Sequence, residues 1–545
     1  MSFFRNRGAY FNNNNNNNNS NNSNNKNNVV EMPKNINTYL GQKGYTILKS
    51  DLSASQQQYI KEQLLIKPCT PGAPIAIDKS FPAYRESDKK LYLPRYYGIQ
   101  LFGSPKETKI TEGDDIALEF QGSLREYQKP VIEKYIQHVS NGGGGLLELF
   151  CGWGKSDSTL YVIGRLKKKT LIIVHKEFLM NQWIERINKY YPNAKIGKIQ
   201  GQIIDIEGKD IVLGMLQSLS MKDYPASLFD SFGFTIIDEV HHISSEVFSC
   251  ALFKLVTKYM LGLSATMERS DGTTRVFKMF LGDVVYKQER SKDEEVIVRG
   301  ITYQTNDDEY NELELDFRGK PAASKMLSKI CNYNRRSEFI LKVLDDMIKE
   351  NPKQQIMIIA SYRNILNYFY EAINHKQIAT VGFYVGGMKE SALKLTEEKQ
   401  VVLATYSMAA EGLDIKTLTT LIMATPMTKI EQSVGRILRQ KHESPPIVVD
   451  IIDTHANFQN QWIKRRRFFK AQNYKIIQTT SSTYTTDVSK WKTTFTPCLN
   501  KTSAPIEPES EDDIEISSDS EVDETESNKK TVSKGTGVCL LKFKK

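Results

Sequence analysis

Short apolar runs, each followed by a polar segment of helix length, occur in two successive series along this 545-residue chain. Such runs predict strands that are buried on both faces of a parallel sheet covered by helices. The first series contains "TLIIVH" (170–175), "DIVLGM" (210–215), "FTIID" (234–238) and "YMLGLSA" (259–265). The second contains "QIMIIAS" (355–361), "ATVGFYV" (379–385), "QVVLATY" (400–406), "TLIMAT" (420–425) and "PIVVDII" (446–452). The pattern predicts an α/β fold with two tandem domains, each a parallel sheet flanked by helices.

Changes in composition divide the rest of the chain. An Asn-rich stretch near the N-terminus lacks the apolar residues that a packed core needs, so we predict a disordered tail there. The predicted segments are a tail (1–35), a small N-terminal domain (36–118), the two α/β domains (119–290 and 326–475), a charged connection between them (291–325) and a low-complexity acidic tail (476–545).

The charge of the chain is unevenly distributed. The whole sequence has a net charge of +9, with 73 Lys and Arg and 64 Asp and Glu. Eleven of the acidic residues lie between Glu507 and Glu526, where Lys and Arg are absent. The remaining chain is therefore strongly basic, which favours a polyanionic partner such as DNA or RNA. A generally solvated, lysine-rich surface is the alternative.

Targeting signals and cysteines point to a reducing, intracellular setting. The sequence opens without the charged and apolar regions of a secretory signal. Apolar runs long enough to span a membrane are also absent, so no membrane partner is expected. The six cysteines form no CxxC pair, which argues against a zinc ribbon or a disulfide framework.

A glycine-rich turn follows the apolar run "GLLELF" and precedes a helical pattern. Its residues are Cys151, Gly152, Trp153, Gly154, Lys155 and Ser156. In a phosphate-binding loop, the backbone N–H groups and the helix N-terminus bind phosphate oxygens. Lys155 would then reach the β- and γ-phosphates of ATP, and the Ser156 hydroxyl would bind Mg²⁺. Leu149 stands where the strict motif has glycine, and a strand–turn–helix junction with a surface lysine is the alternative.

A second acidic element ends the apolar run "FTIID". Asp238 would bind Mg²⁺ through water, and Glu239 would orient or deprotonate the attacking water. His241 would contact neighbouring motifs. Asp-Glu after a strand is also common as a helix cap, so the assignment depends on the preceding loop.

The order of these motifs resembles the superfamily 2 helicases and translocases, across both α/β domains from Leu124 to Arg439. "LREYQ" (124–128), "DEVHH" (238–242), "SATMERSDG" (264–272) and "QSVGRILR" (432–439) are similar to the branch of XPB-like proteins and type III restriction subunits. The segment "FPAYRESDKKLYLPRYYG" resembles the stretch before the motor in helicases of large cytoplasmic DNA viruses, of which the poxvirus transcript-release helicase is one. The asparagine tract fits a giant virus with an AT-rich genome.

The resemblance implies two RecA-like domains and assigns roles to further residues. Adenine would be read by Arg125 and Gln128, and the ATP site would include Gly412 and Asp414 of "ATYSMAAEGLDI". Hydrolysis would be coupled to movement through Ser264, Ala265 and Thr266. Nucleic acid would be contacted by Gln217, Ser218 and Thr405.

The last motif carries three candidate catalytic residues. Gln432, Arg436 and Arg439 are spaced by four and three residues, which places them on one face of a helix. Both arginines would point at the γ-phosphate from the second domain. A basic amphipathic helix that forms surface salt bridges is the alternative.

Two basic and aromatic stretches are further candidates for nucleic-acid contact. In "WIKRRRFFKAQNY" (462–474), Arg465, Arg466 and Arg467 would bind phosphates. A final helix that packs its aromatic residues on the second domain is the alternative. The stretch at 81–98 of the N-terminal domain has the same two interpretations: contact with bases, or aromatic residues in a small core.

The sequence thus predicts a monomeric, nucleic-acid-dependent ATPase that uses ATP and Mg²⁺. The expected substrate is DNA, in transcript release, repair or recombination, together with the viral transcription machinery. The expected location is the host cytoplasm, in the viral factory, with packaging in the virion. A DEAH-type RNA helicase is the main alternative, and a non-catalytic nucleic-acid-binding scaffold is the other.

Overall fold

Two large, mainly parallel sheets and a smaller sheet near the N-terminus make up the computed structural model. The structure describes residues 30–68, 80–242, 245–269, 271–290, 295–411, 413, 415–440 and 442–497. The two large sheets confirm the predicted α/β fold with two tandem domains. Most of both predicted tails, including Glu507–Glu526, lies outside the described residues.

The N-terminal domain is a five-stranded sheet with two helices and a separate two-stranded ribbon. Its strand order is β5-β6-β2-β1-β7, and the ribbon pairs β3 with β4. The elements are β1 (Thr38–Gly41), β2 (Gly44–Leu48), a 3₁₀ turn (Lys49–Asp51), α1 (Ala54–Gln63), β3 (Leu65–Ile66), β4 (Phe81–Pro82), β5 (Arg85–Glu86), β6 (Lys90–Leu93), α2 (Arg95–Phe102) and β7 (Glu107–Thr108).

This domain packs against the first large domain through residues 81–98, the stretch for which the sequence allowed two interpretations. Leu91 and Leu93 are fully buried in its core. The Arg95 guanidinium donates to the Thr257 carbonyl over 3.3 Å, and the Tyr96 hydroxyl donates to the Gly144 carbonyl over 3.1 Å. These contacts favour the core interpretation of the aromatic residues, and Arg95 serves domain packing.

The first large domain has eight strands in the order β11-β10-β12-β9-β13-β14-β8-β15, all parallel except β11. The loops that follow β8, β13 and β14 therefore meet at one edge of the sheet. The elements are α3 (Lys129–His138), β8 (Gly143–Leu149), α4 (Lys155–Leu166), β9 (Thr170–Val174), α5 (Glu177–Tyr190), β10 (Ile196–Gln200), β11 (Ile203–Asp205), β12 (Ile211–Met215), α6 (Leu216–Met221), 3₁₀ turns (Ala226–Phe229 and Val240–His242), β13 (Phe234–Ile237), α7 (Ser245–Leu252), β14 (Tyr259–Ser264), α8 (Thr274–Leu281) and β15 (Val284–Gln288).

The second large domain also has eight strands, in the order β18-β19-β17-β20-β21-β16-β22-β23, and only β23 is antiparallel to its neighbour among them. The elements are β16 (Ile297–Tyr303), α9 (Asp308–Asn311), α10 (Ala323–Asn332), α11 (Asn334–Glu350), β17 (Gln355–Ala360), α12 (Arg363–His375), β18 (Val381–Tyr384), α13 (Glu390–Glu397), β19 (Val401–Thr405), α14 (Tyr406–Glu411), β20 (Leu418–Met423), α15 (Glu431–Val434), β21 (Ile447–Asp453), α16 (Ala456–Ala471), β22 (Lys475–Thr480), a 3₁₀ turn (Val488–Lys490) and β23 (Lys492–Phe495).

This sheet extends beyond the boundaries that the sequence predicts for it. Strand β16 lies inside the predicted connection at 291–325, yet it pairs with β21 and β22. Strands β22 and β23 lie almost wholly in the predicted low-complexity tail. The sheet therefore runs from β16 to β23, because strands from both flanks of the predicted domain complete it.

A buried ion pair ties the helices of the second domain to its sheet. Arg336 of α11 and Asp453 of β21 both have fully buried side chains, and Arg336 Nε lies 2.6 Å from Asp453 Oδ1. The second guanidinium edge contacts Asp453 Oδ2 at 2.8 Å, and Arg336 also donates to the Ala424 carbonyl over 2.8 Å. Tyr310 adds a hydrogen bond of 2.7 Å to Asp453 Oδ1. The carboxylate is thus compensated by a bidentate partner, as burial of a charge requires.

Replacement of this arginine should be far more costly than replacement of its neighbour. We expect Arg336→Leu to lower the free energy of unfolding of the second domain by about 3–5 kcal/mol, because it leaves Asp453 buried without its cation. Arg335→Leu is the matched control, since the Arg335 side chain is 75% exposed and pairs with Asp307 at the surface. Its cost should stay below about 1 kcal/mol. Urea titrations followed by circular dichroism measure both, and equal costs would contradict this account.

Candidate ATP site and nucleic-acid interface

The glycine-rich turn has the backbone that a phosphate-binding loop requires. It connects β8 to α4, and Gly152 and Gly154 adopt φ angles of 87° and 92°. A Cβ atom added at Gly154 would lie 2.5 Å from the Gln128 side-chain nitrogen, so a larger residue would displace that side chain from the loop. Left-handed backbone and close packing both explain why glycine stands at this position.

Gln128 contacts the turn rather than open solvent. Its side-chain amide is buried and donates to the Trp153 carbonyl over 2.9 Å, while its oxygen accepts from the Arg125 backbone N–H at 2.9 Å. Arg125 is exposed and donates to the Tyr127 hydroxyl over 2.7 Å. Of the two predicted adenine readers, Arg125 therefore faces solvent, and Gln128 holds the loop.

Trp153 anchors the loop from the other side. Its side chain is fully buried, and the indole N–H donates to Gln288 Oε1 over 2.7 Å at the end of β15. Gln288 was not predicted, because nothing in the local sequence connects it with residues 135 positions earlier. The loop is thus held in place by Gln128 and Gln288, from the segment before it and the last strand of the sheet.

The acidic pair lies directly beside Lys155. Lys155 Nζ is 3.2 Å from Glu239 Oε1, and the Lys155 side chain is only 11% exposed. Burial alone would lower the pKa of Lys155, but the nearby Glu239, Cys151 and Asp238 outweigh it and raise the pKa. Lys155 therefore remains a cation. Glu239 has a left-handed backbone, with φ of 48°, which is uncommon for a residue other than glycine and is typical of functional sites.

Helix α5 supplies two partners for this site that sequence reasoning missed. The buried Trp183 indole donates to Asp238 Oδ2 over 2.9 Å, and Arg186 Nη1 donates to the Ser156 hydroxyl over 2.7 Å. Burial and the Glu239 charge raise the pKa of Asp238, while Lys155, Trp183 and Arg186 oppose that rise. The spacing of Trp183 and Arg186, which places them on one face of a helix, was the signal that could have identified them.

The second domain meets this loop through its last motif. A Cβ atom added at Gly152 would lie 3.5 Å from Arg439 Cα, and one at Gly435 would lie 3.0 Å from Cys151 Cβ. Gln432 Nε2 is 2.8 Å from His241 Nε2. The glycine-rich loop and the acidic motif therefore both touch the same short segment of the other domain.

The predicted helix across this segment is wrong in its length. Helix α15 ends at Val434, and the next backbone bonds, from Arg436 N to Ser433 O and from Ile437 N to Val434 O, span only three residues. Arg436 is buried and donates to the Ala409 and Leu413 carbonyls over 2.7 and 3.0 Å, and to the Ala410 carbonyl. It therefore binds the preceding motif rather than pointing at a phosphate, and Arg439 is the arginine beside the loop. Gly412 and Asp414 lie outside the described residues.

Comparison with known proteins agrees with this arrangement. The family model for the res subunit of type III restriction enzymes matches residues 121–269, and the model for the helicase conserved C-terminal domain matches residues 339–441. "Putative ATP-dependent RNA helicase L396" of Acanthamoeba polyphaga mimivirus is 35% identical over 82% of this chain and 87% of its own length. This chain belongs to the superfamily 2 helicases.

More distant relatives also match about two thirds or more of this chain. QP509L of African swine fever virus (isolate Pig/Kenya/KEN-50/1950), which has the same descriptive name, is 27% identical over 72% of this chain and 82% of its own. "DNA 3'-5' translocase XPB2" of Sulfurisphaera tokodaii is 24% identical over 68% of this chain and 92% of its own. The helicase therefore falls in the predicted branch of XPB-like proteins and type III restriction subunits. Its two large domains are RecA-like, and it is an ATP-dependent enzyme.

His241 connects three motifs of the helicase. Its Nδ1 is 2.6 Å from the Ser264 hydroxyl and 3.4 Å from Glu239 Oε2, and its Nε2 faces Gln432. The Ser264 hydroxyl also donates to the Thr266 carbonyl. Both ring nitrogens of His241 thus lie within hydrogen-bond distance of a polar side chain. The predicted contact of His241 with neighbouring motifs is present, and it reaches into the second domain. Ala265 lies between the two residues of the third motif, Ser264 and Thr266.

The predicted strand contacts lie at the carboxyl ends of parallel strands. Gln217 and Ser218 follow β12, where Gln217 donates to the His175 carbonyl over 3.0 Å and the Ser218 hydroxyl accepts from Gly201 N–H at 2.9 Å. Thr405 ends β19 in the second domain. Their contact with nucleic acid stays a prediction, and their positions are at strand ends in both domains of the helicase.

The basic cluster on α16 contains one residue that was wrongly predicted. Arg465 is buried, with Nε 2.7 Å and Nη2 2.9 Å from the two oxygens of Asp450. It cannot bind a phosphate there, because its charge is already paired inside the domain. Arg466 is half-buried and Arg467 is exposed, while Trp462 and Phe469 lie in the core. The aromatic residues thus follow the packing alternative.

None of the helices among the described residues is both long enough and apolar enough to cross a membrane. The same part of the helicase contains no group of three or more His, Cys, Asp or Glu side chains that could hold a metal ion.

The two arginines of the last motif should respond differently to replacement. We expect Arg439→Ala to lower kcat for ATP hydrolysis roughly 10³-fold or more, as for arginine fingers of related enzymes, and to leave the unfolding midpoint unchanged. Arg436→Ala should instead destabilise the second domain by about 2–4 kcal/mol, because three buried carbonyls lose their donor.

Steady-state ATPase assays and urea titrations on both variants measure these effects. Full activity of Arg439→Ala would contradict the assignment. A stable but inactive Arg436→Ala would return that residue to the catalytic role that the sequence predicts.

Proposed function

We propose that this helicase is a DNA-dependent translocase, in which ATP hydrolysis drives movement along the strand during viral transcript release, repair or recombination. The observation that carries a motor function is the contact between domains, with Arg439 beside Gly152 and Gln432 on His241. A γ-phosphate bound at the loop would be sensed by both domains at once. Its loss on hydrolysis would release that contact and change the angle of the cleft.

Three residues of this chain would have separate roles in ATP hydrolysis. Phosphates entering the loop would compete with Glu239 for the Lys155 ammonium group, which lies 3.2 Å from that carboxylate. Glu239 would then be free to orient the attacking water and accept its proton. Arg439 would stabilise negative charge that develops on the transferred phosphoryl group.

Magnesium is the metal that this donor set fits. Ser156 offers a hydroxyl, and the two oxygens of Asp238 accept neutral hydrogen bonds, one from Trp183 at 2.9 Å and the other from the Glu239 N–H at 3.0 Å. Mg²⁺ in phosphoryl-transfer sites is bound through one or two such oxygens together with phosphates and water. When bound, it would neutralise phosphate charge, with Ser156 as a direct ligand and Asp238 acting through water.

DNA is favoured as the substrate by the branch to which the helicase belongs. The XPB2 relative, which this chain matches over 92% of its length, is a DNA translocase by name. An RNA helicase is the second candidate, because the mimivirus and African swine fever virus relatives are named as RNA helicases. Both of these relatives are viral. We propose that this helicase also acts in an infected host cytoplasm, together with viral transcription proteins.

The substrate can be tested by ATPase assays on the full chain, alone and with single-stranded DNA, double-stranded DNA or RNA. We expect DNA to stimulate hydrolysis and Lys155→Ala to abolish it, because that variant loses the cation that binds the phosphates. Lys167→Ala, at the other end of α4, is the matched control and should keep wild-type activity. Stimulation by RNA alone would contradict the DNA proposal and favour the second candidate.

A further inference from the structure

Helix α5 places two side chains of different charge on the two proposed magnesium ligands. Trp183 and Arg186 are three residues apart, so they lie on one face of the helix. Trp183 is buried and binds Asp238, and Arg186 binds the Ser156 hydroxyl at 2.7 Å. A neutral donor thus holds the carboxylate ligand, and a cation holds the hydroxyl ligand.

Two cations at this site each lie near a different carboxylate. Lys155 pairs with Glu239, while Arg186 Nε is 3.8 Å from Asp157 Oδ1, whose other oxygen accepts from the Tyr190 hydroxyl at 3.2 Å. The Arg186 charge also opposes the burial-driven rise in the pKa of Asp238. Arg186 therefore places a guanidinium against the hydroxyl that would bind the divalent cation.

We propose that Arg186 is a built-in counter-cation of the magnesium site, which holds Ser156 in place and prevents a free divalent ion from binding before nucleotide arrives. The inference rests on the magnesium site proposed above. Like charges in a partly buried site repel strongly, so a divalent ion alone is disfavoured beside a guanidinium. The phosphates of a nucleotide supply enough negative charge to reverse this balance. Metal and nucleotide would then enter the site together.

Manganese binding to the full chain, followed by electron paramagnetic resonance, tests this role directly. Without nucleotide, we expect Arg186→Gln to bind Mn²⁺ at least roughly tenfold more tightly than the wild type, because glutamine keeps a donor for Ser156 but removes the charge. Arg186→Lys should restore the weak affinity. Arg165→Gln is the matched control, since it removes a charge from α4 at a surface pair with Glu133.

Each outcome of this experiment has a distinct meaning. Equal Mn²⁺ affinities of Arg186→Gln and Arg165→Gln would overturn the counter-cation role. Weaker binding by Arg186→Gln, together with a raised KM for ATP, would make Arg186 a phosphate-binding residue and would also overturn the counter-cation role.

The same titrations with ADP test the magnesium site itself. Absence of Mn²⁺ binding to the wild type with ADP would refute that site, whereas binding with ADP but no effect of Arg186→Gln would refute only the present proposal.

Discussion

The ion pair between Lys155 and Glu239 is the interaction on which the candidate ATP site depends. Two charges that are mostly removed from water are costly unless they compensate each other. Their pairing at 3.2 Å keeps the lysine of the glycine-rich loop beside the acidic motif, although the two are 84 residues apart. In the function proposed above, a phosphate bound by Lys155 would release the Glu239 carboxylate, because the lysine cannot pair fully with both partners at once.

Neutral groups surround this pair and fix its geometry. Trp183 and the Glu239 backbone N–H each bind one oxygen of Asp238, and Gln128 and Gln288 hold the loop through Trp153. His241 then contacts Gln432 of the second domain across the cleft. A chain of short polar contacts therefore links the candidate ATP site with the second domain.

Local patterns in the sequence predicted many residues of the candidate site. The features that they did not predict depend on contacts between residues distant in sequence. The loop at Cys151–Ser156 and the acids at Asp238 and Glu239 follow buried strands directly, so their surroundings could be predicted from neighbouring residues. The buried position of Arg465 could not be predicted in this way, because its partner Asp450 lies on another element of the domain. Helix α15 ends at Val434, just before Gly435, which packs against Cys151 of the other domain, and local sequence does not reveal that contact. Trp183, Arg186 and Gln288 likewise act on residues distant in sequence.

The position of β16 also determines when the second domain can be completed. This strand comes first in the domain, but it lies between β21 and β22, which come near its end. On a ribosome that adds about 5–20 residues per second, β16 would wait for roughly ten to thirty seconds before both of its neighbours exist. Until β21 is made, the backbone of β16 has no partner on either side, and one edge stays unpaired until β22 follows. Exposed strand edges of this kind invite pairing with other chains. The nascent helicase is thus open to misassembly during the interval after its first motor domain can fold and before the sheet of its second can be completed.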